Sequence, residues 1–249
     1  DEATLDREPK SNYKFEITAK DNGAGNLYTT STVTVVVNDI NEPPVLVACG
    51  GARACPTVQE NSAYGTALTN GQMVAQDQDS GDTVTFSLRN DGSFPITIDA
   101  NSGVLSVDQA ILNFEMTNAY HLDVVLLDSA GATSSAAVTV TVLDVNENPR
   151  FRSRNVTLSI FENSDAATLV GSPLVATDVD AAAVDAAWGE LTYSLTGAMS
   201  GNFEVSDVIT VDGVSGQVLV AEAAWGLNFE AMSGAGTDYV FTAVVTDGN

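Results

Sequence analysis

An all-β chain built from tandem antiparallel sandwiches is predicted by three observations. Short motifs repeat about every hundred residues, several runs alternate apolar with polar residues, and turn-forming clusters punctuate the chain every ten residues or so, with no helical period. The repeat is the firmest of the three. Leu5-Asp6-Arg7-Glu8 returns as Leu112-Asn113-Phe114-Glu115 and as Leu227-Asn228-Phe229-Glu230, which sets the glutamates 107 and 115 residues apart. Asp39-Ile40-Asn41-Glu42-Pro43-Pro44 returns as Asp144-Val145-Asn146-Glu147-Asn148-Pro149, 105 residues later. Glu60-Asn61-Ser62 matches Glu162-Asn163-Ser164, and Asp77-Gln78-Asp79 matches Asp178-Val179-Asp180, at separations of 102 and 101. A fixed period exposes the structural unit before any single strand is assigned.

The elements follow in order. Thr32-Val33-Thr34-Val35-Val36-Val37 and Val138-Thr139-Val140-Thr141-Val142 place valines on one face and threonines mostly on the other, as a strand buried on one side requires. Val156-Thr157-Leu158-Ser159-Ile160 repeats the pattern and is predicted as a further strand. The first two runs end directly at Asp39 and Asp144, and the prolines beyond forbid the strand to continue. The alanine-rich stretches 181–188 and 221–225 are expected to be insertions between strands, each with room for a helical turn. These boundaries divide the chain into part of one unit at 1–44, a whole unit at 45–149, and a third at 150–249 that stops at Thr246-Asp247-Gly248-Asn249, before its last strand. On this reading the chain is a fragment of a longer array.

Composition narrows the function. Nine Lys and Arg stand against 33 Asp and Glu, a formal charge of -24. That charge repels phosphate backbones and excludes nucleic acid as a partner. An excess of carboxylates suits a hard cation bound through oxygen, whereas one His and two Cys leave little for zinc. No segment reaches the ~18 uninterrupted apolar residues of a membrane span. The opening residues lack the basic and apolar regions of a signal peptide. Cys49 and Cys55, in Cys-Gly-Gly-Ala-Arg-Ala-Cys, are spaced for a disulfide rather than a redox pair, which implies an oxidising extracellular setting. Asn155-Val156-Thr157 is a glycosylation sequon, consistent with secretion.

The acidic motifs, in this order and at this spacing, resemble the cadherin repeats, whose hallmarks are x-E-x, L-D-R-E, D-x-N-D-N-x-P, D-x-D and A-x-D-x-G. The resemblance covers nearly the whole chain. It implies seven-stranded Greek-key, Ig-like sandwiches joined end to end, with up to three calcium ions at each junction. Carried over position by position, it implies a first junction of Asp6, Glu8, Asp39, Asn41, Glu42, Asp77, Asp79 and Asp128, with the carbonyls of Ile40 and Pro43. It implies a second of Glu60, Asn113, Glu115, Asp144, Asn146, Glu147, Asp178, Asp180 and Asp247, with the carbonyls of Val145 and Asn148. The chemistry agrees, because calcium takes six to eight oxygens and a sandwich can gather them only from strand ends and loops.

Two departures from the family pattern matter. Asn113 and Asn228 keep an oxygen but lose a charge, so the outer ions are expected to bind more weakly. Glu42 and Glu147 replace the usual Asp and add one methylene, which flexible calcium coordination tolerates. Six ions would bring the charge from -24 to -12, and without them seven carboxylates at one junction repel, leaving a hinge.

Other chemistry is set aside. Neither Asp-x-Asp copy is an EF-hand, since Leu88 and Gly189 occupy the twelfth position, where a glutamate is needed. There is no G-x-S-x-G, P-loop or G-x-G-x-x-G sequence, so no enzyme is expected. His121 reads as an ordinary strand histidine, and Trp188 and Trp225 read either as a carbohydrate or partner surface or as buried packing or loop anchors, with no site assigned to them. The favoured function is a calcium-dependent extracellular array for adhesion or recognition. Its partners would be other cadherin-like repeats, with membrane attachment only through regions outside the chain. The alternatives are spacer repeats in an extracellular filament and a calcium-dependent carbohydrate-binding module.

Overall fold

Residues 5–25, 27–50, 53–89, 94–182, 188–196, 208–222 and 240–248 are described in a computed structural model. The chain divides into two units, Asp1–Leu143 and Asp144–Asn249. Strands account for nearly all its regular structure, and no α-helix occurs among the described residues. Among those residues no helix is long and apolar enough to cross a membrane.

Unit 1 begins with β1 (Asn12–Lys20) and β2 (Tyr28–Val36), an antiparallel pair in unbroken register from Asn12 opposite Val36 to Lys20 opposite Tyr28. Tyr13, Phe15 and Ile17 share a face with Val33 and Val35, as alternation predicts, yet Phe15, Ile17, Val33 and Val35 are exposed. Two strands cannot cover their own apolar face, and this pair forms a sheet of its own among the described residues.

The rest of the unit comprises β3 (Val45–Leu46), β4 (Thr57–Gln59), β5 (Ala67–Gln72), β6 (Ala75–Gln76), β7 (Val84–Leu88), β8 (Ile96–Ile98), β9 (Val104–Val107), β10 (Ala119–Asp128) and β11 (Thr133–Leu143). Seven of these run in the spatial order β7-β10-β11-β4-β5-β9-β8. All pairs are antiparallel except β4 with β11, whose crossover brings the start of the repeat beside its end. Along β11 the burial alternates without error through Val138, Val140 and Val142, with the threonines outside. These valines pack with Leu122, Val124 and Leu126 of β10 and with Leu68, Ile96, Leu105 and Val107 from the other strands. One apolar core between two strand layers is the sandwich solution for sheets that are greasy on one side.

Unit 2 contains β12 (Arg150–Phe151), β13 (Ala176–Thr177), a 3-10 turn at Val179–Ala182, β14 (Thr192–Thr196), β15 (Ile209–Val211), β16 (Val218–Val220) and β17 (Thr242–Thr246). Its core gathers Val170, Leu174, Tyr193, Ile209, Val218 and Val220. The segment 156–160, predicted as a strand, is not one. Leu158 and Ile160 turn toward the core while Thr157 and Ser159 stay out, so the alternation holds over 157–160, whereas Val156 is exposed. In unit 1 the matching strand β4 draws its hydrogen bonds from β11, and unit 2 has no equivalent of β11 among its described residues. Of the alanine-rich stretches, the first opens within the 3-10 turn. Residues 183–187 and 223–225, the last of them Trp225, lie outside the described residues, and Trp188 is half-buried.

A turn outside the acidic motif series repeats closely. Asp99 Oδ1 accepts the amides of Asn101 and Ser102 at 3.1 and 2.7 Å, and Asp212 Oδ1 accepts those of Val214 and Ser215 at 3.3 and 2.7 Å. Each turn closes on a left-handed glycine, Gly103 (φ 69°) or Gly216 (φ 67°). The carbonyls of these glycines accept Met73 N–H at 2.8 Å and Leu174 N–H at 2.9 Å.

Candidate metal centre

The first acidic centre lies entirely within unit 1. After β2 the chain runs without regular structure through Asp39-Ile40-Asn41-Glu42-Pro43-Pro44, where two prolines remove backbone donors. Two hydrogen bonds pin this segment to distant loops, and a third shapes one of those loops. Asn41 Nδ2 donates to Asp128 Oδ2 at 3.0 Å, the Glu42 amide donates to Asp79 Oδ2 at 2.9 Å, and the Asp79 amide donates to Asp77 Oδ1 at 2.9 Å. Asp128, at the end of β10, is 4% exposed. Its Oδ1 accepts the amides of Gly131 and Ala132 at 2.6 and 2.9 Å, which is what the Asp-x-x-Gly turn is for. Ser134 Oγ donates to the Pro44 carbonyl and holds the end of the linker.

From the N-terminal side, Asp6 Oδ1 accepts the Glu8 amide at 3.2 Å, and Arg7 pairs with Asp39 at 3.1 Å and with Glu8 at 4.0 Å. Carboxylate oxygens of Glu8, Asp39 and Asp79 lie within 4.8 Å of one another, as do those of Asp77, Asp79 and Asp82. The crowding shows in the acidities. Glu8 is raised above the ordinary glutamate value, first by its hydrogen bond with Asp6. Glu42 is raised by burial and then by the charges of Asp79, Asp6, Asp39 and Asp77. Burial also works against the Asp128 carboxylate, but hydrogen bonds from Asn41 and from the amides of Ala132, Gly131 and Ala130 outweigh it and lower its pKa.

Unit 2 builds the same arrangement from its own residues. Asn146 Nδ2 donates to Asp247 Oδ2 at 2.8 Å, the Glu147 amide to Asp180 Oδ2 at 2.7 Å, and the Asp180 amide to Asp178 Oδ1 at 2.9 Å. Asp180 is only 1% exposed. Asp178 is raised by burial, then by the charges of Asp180 and Asp247. Asp144, Val145 and Asn148 sit on the same linker. Glu60, Asn113 and Glu115, the other residues expected at the second site, belong to unit 1. Glu60 is 2% exposed, and its Oε2 accepts the Phe114 amide at 2.9 Å. Asn113 Oδ1 accepts the Met116 amide at 2.8 Å, a local turn contact, and Glu115 is exposed. Asn228 and Glu230 lie outside the described residues.

The donor set fits a hard divalent cation. Glu42 Oε2, Asp77 Oδ2, Asn146 Oδ1, Asp178 Oδ2 and Asp180 Oδ1 are buried oxygens with no hydrogen-bond donor. Buried carboxylate oxygens without donors are costly unless a cation completes them. Arg7 is the one cationic side chain found in ion pairs at these carboxylates among the described residues. Sequence reasoning missed three participants. Arg7 supplies a counter-charge, Asp82 adds a carboxylate, and Ser129 donates to Asp82 at 2.7 Å while accepting the Thr83 amide at 3.4 Å. Arg7 stands between two recognised acids, Ser129 directly follows a third, and Asp82 lies three residues after Asp79, within one turn.

Away from the acids, Cys49 and Cys55 are joined in a disulfide across a Cα separation of 4.8 Å, around an antiparallel bridge between Gly50 and Arg53. Asn155 is exposed. His121 Nδ1 lies 3.0 Å from Thr139 Oγ1 across β10 and β11, an ordinary cross-strand pair.

Residues 56–143 match the cadherin domain family. Among curated relatives, Protocadherin Fat 2 of Rattus norvegicus is 29% identical over 203 residues, and Protocadherin Fat 1 of Homo sapiens is 30% identical over 208. These alignments cover 81% and 82% of this chain but 4% of each relative. Protocadherin gamma-A12 of Homo sapiens is 33% identical over 170 residues, covering 67% of this chain and 18% of the relative. Among solved structures, mouse Cadherin-23 EC22-24 aligns with a TM-score of 0.65 at 28% identity, covering 99% of this chain and 72% of that one. The cis-dimer structure of Protocadherin gammaB7 EC3-6 gives 0.65 at 25% identity, covering 98% and 58%. Motif series, sandwich, repeated acidic linkers and sequence similarity converge on one conclusion: this chain belongs to the cadherin repeat family.

Proposed function

We propose that the chain is a calcium-rigidified run of extracellular cadherin repeats serving adhesion or recognition. The family is one of cell-surface adhesion proteins and not of enzymes, so these residues belong outside the cell and have no catalytic role. The proposed repeats are 1–44, 45–149 and 150–249, with ion clusters where they meet. Asp6, Glu8, Asp39, Asn41, Glu42, Asp77, Asp79 and Asp128, with the Ile40 and Pro43 carbonyls, would hold the first cluster. Glu60, Asn113, Glu115, Asp144, Asn146, Glu147, Asp178, Asp180 and Asp247, with the Val145 and Asn148 carbonyls, would hold the second.

One observation carries the reading. The same three hydrogen bonds, Asn to Asp, Glu amide to Asp and Asp amide to Asp, recur in both units around buried oxygens that lack donors. Calcium would supply the missing positive charge, and its coordination would tie each linker to the loops beside it. Without it, like charges at each cluster repel and the linkers lose their fixed direction. The partners would be other cadherin-like repeats, of the same or another chain. A spacer role in a long extracellular filament is the second reading, favoured by the 4% share that the chain occupies of its Fat relatives.

Calcium titration by calorimetry on the 249-residue chain, with small-angle scattering at both end points, tests the mechanism. Saturable binding with a change from a broad to a narrow, extended particle is expected. Absence of binding at millimolar calcium overturns it.

A further inference from the structure

Cations are scarce in this chain, and a third of them crowd into five residues. Arg150, Arg152 and Arg154 are three of nine Lys and Arg facing 33 acids. The other arginines are engaged: Arg7 with Asp39, Arg89 with Asp123 at 2.9 Å, and Arg53 with the Val47 carbonyl at 3.3 Å. Arg150, Arg152 and Arg154 are exposed, and none pairs with a carboxylate among the described residues.

Their placement is built into the fold. Arg150 lies opposite Thr177 in the pairing of β12 with β13, and the Arg152 amide extends that ladder to the Val175 carbonyl at 2.9 Å. Phe151 packs against the unit 2 core, so Arg150 and Arg152 take the outer face, as alternate residues of an extended chain do. Beside them an open cavity of about 160 Å³ is lined by Arg152, Ser153, Val156, Pro173 and Val175. It is below the ~300 Å³ at which small-molecule pockets begin, and its walls are mostly apolar.

We infer that Arg150, Arg152 and Arg154, with this cavity, form a binding site for a sulfated extracellular polysaccharide. Planar guanidinium groups grip two oxygens of an oxyanion through paired donors, Arg150 and Arg152 take alternate positions of one extended ladder ~6.6 Å apart, and Arg154 follows two residues on, beyond the strand, so a linear polyanion meets them in succession. A short arginine-rich run of this kind is a recognised heparin-binding signal in a protein exposed to the matrix. The apolar walls suit the carbon-hydrogen face of one sugar ring. A second copy of this chain is a poorer occupant, because its -24 charge opposes approach over its whole surface. A thin polysaccharide feels chiefly the charges within a Debye length of ~8 Å, where the three arginines face Asp178, the residue after Arg150's partner Thr177.

The test is retention of the 249-residue chain on immobilised heparin, in calcium and again in EDTA. Retention is expected in both, weaker in EDTA because the carboxylates near Arg150 are then uncompensated, and its persistence separates this site from the calcium clusters. With three contacts, the slope of log affinity against log salt is expected near -2, or roughly a twentyfold loss between 50 and 200 mM. Replacing all three arginines by alanine should abolish retention, while Arg89→Ala leaves it unchanged. If the triple variant fails to fold, the single reversal Arg152→Glu must still weaken retention at least tenfold. Three results overturn the proposal: no retention of the parent at 50 mM salt, equal retention of the triple variant, or retention that vanishes in EDTA. So does self-association of the parent by sedimentation that the triple variant loses, which assigns the arginines to a second copy.

Discussion

Gly216→Ala is expected to unfold unit 2 at a markedly lower temperature, and the size of the effect follows from the turn. Gly216 sits at φ 67°, where a side chain costs about 1–2 kcal/mol. A Cβ there would clash with the Leu174 carbonyl oxygen and lie 3.2 Å from the Tyr193 ring. The first contact is with backbone and cannot be relieved by a rotamer change. The same peptide accepts the Leu174 amide at 2.9 Å, so moving it loosens a hydrogen bond as well. Overpacking of this kind adds roughly 1–3 kcal/mol, for a total of about 3 kcal/mol. For a domain of about a hundred residues that lowers Tm by ~12–24 °C. Gly213→Ala is the control, since its nearest neighbour is 3.6 Å away and it has no left-handed φ. Differential scanning calorimetry of the whole chain reads the loss on the transition of unit 2 while that of unit 1 stays in place. A Gly216→Ala protein melting within about 2 °C of the parent, less than a 1 kcal/mol loss would give, or a Gly213→Ala protein falling as far, refutes the reasoning.

Asp128→Asn removes one carboxylate from the first cluster and leaves the second untouched, so calorimetry should show one class of calcium site weakened on the order of tenfold, as ligand charge count governs calcium affinity. Asp99 is held below the ordinary aspartate value by the Ser102 amide, the Ser102 hydroxyl and the Asn101 amide. Asp212 is held down in the same way by the hydroxyl and amide of Ser215, together with the Val214 amide. Depressed carboxylates stabilise above the unfolded value of ~3.9 and lose that contribution as pH falls through the folded one. The Tm gap between the parent and the Asp99→Asn, Asp212→Asn double variant should therefore be widest near neutrality and close below about pH 4. Replacing Cys49 and Cys55 by serine opens a loop whose ends are 6 residues apart in sequence. The loss should be about 2 kcal/mol in chemical denaturation of unit 1, with no change in the second transition.

The sandwich and the acidic clusters are legible in the sequence because both depend on short-range patterns. Val138, Val140 and Val142 alternate with threonine, and the alternation fixes which face is buried. The linker acids stand a fixed number of residues from the strands that end beside them, so their repeat spacing carries spatial information. What stays hidden depends on partners far along the chain. The segment 156–160 has a strand's pattern but forms none, since a strand also needs a neighbour to bond with. Val33 and Val35 read as core but lie exposed on a two-stranded sheet. Asp82 joins Asp77 and Asp79 with the support of Ser129, which lies 47 residues further on. The Asp-x-x-Ser-Gly turn is readable in principle at both Asp99 and Asp212, yet without a charge cluster to mark it the pattern looks like any other turn.

The clusters share one local device: each key carboxylate gives one oxygen to a backbone amide. Asp79 takes the amide of Glu42, Asp77 that of Asp79, Asp180 that of Glu147, and Asp178 that of Asp180. On Asp77, Asp178 and Asp180 the other oxygen has no donor. The amides thus orient the carboxylates without an ion, and calcium, on the proposed function, would neutralise repulsion more than shape the loops. Hydrogen exchange distinguishes this from loops that form only around the metal. In EDTA the amides of Asp79 and Asp180, bonded within their own Asp-x-Asp turns, should keep most of their protection. Those of Glu42 and Glu147, which bridge linker to loop against the repulsion, should exchange at least tenfold faster than in calcium. Equal loss at all four positions would mean that the metal builds the loops, and the proposed preorganisation would be wrong.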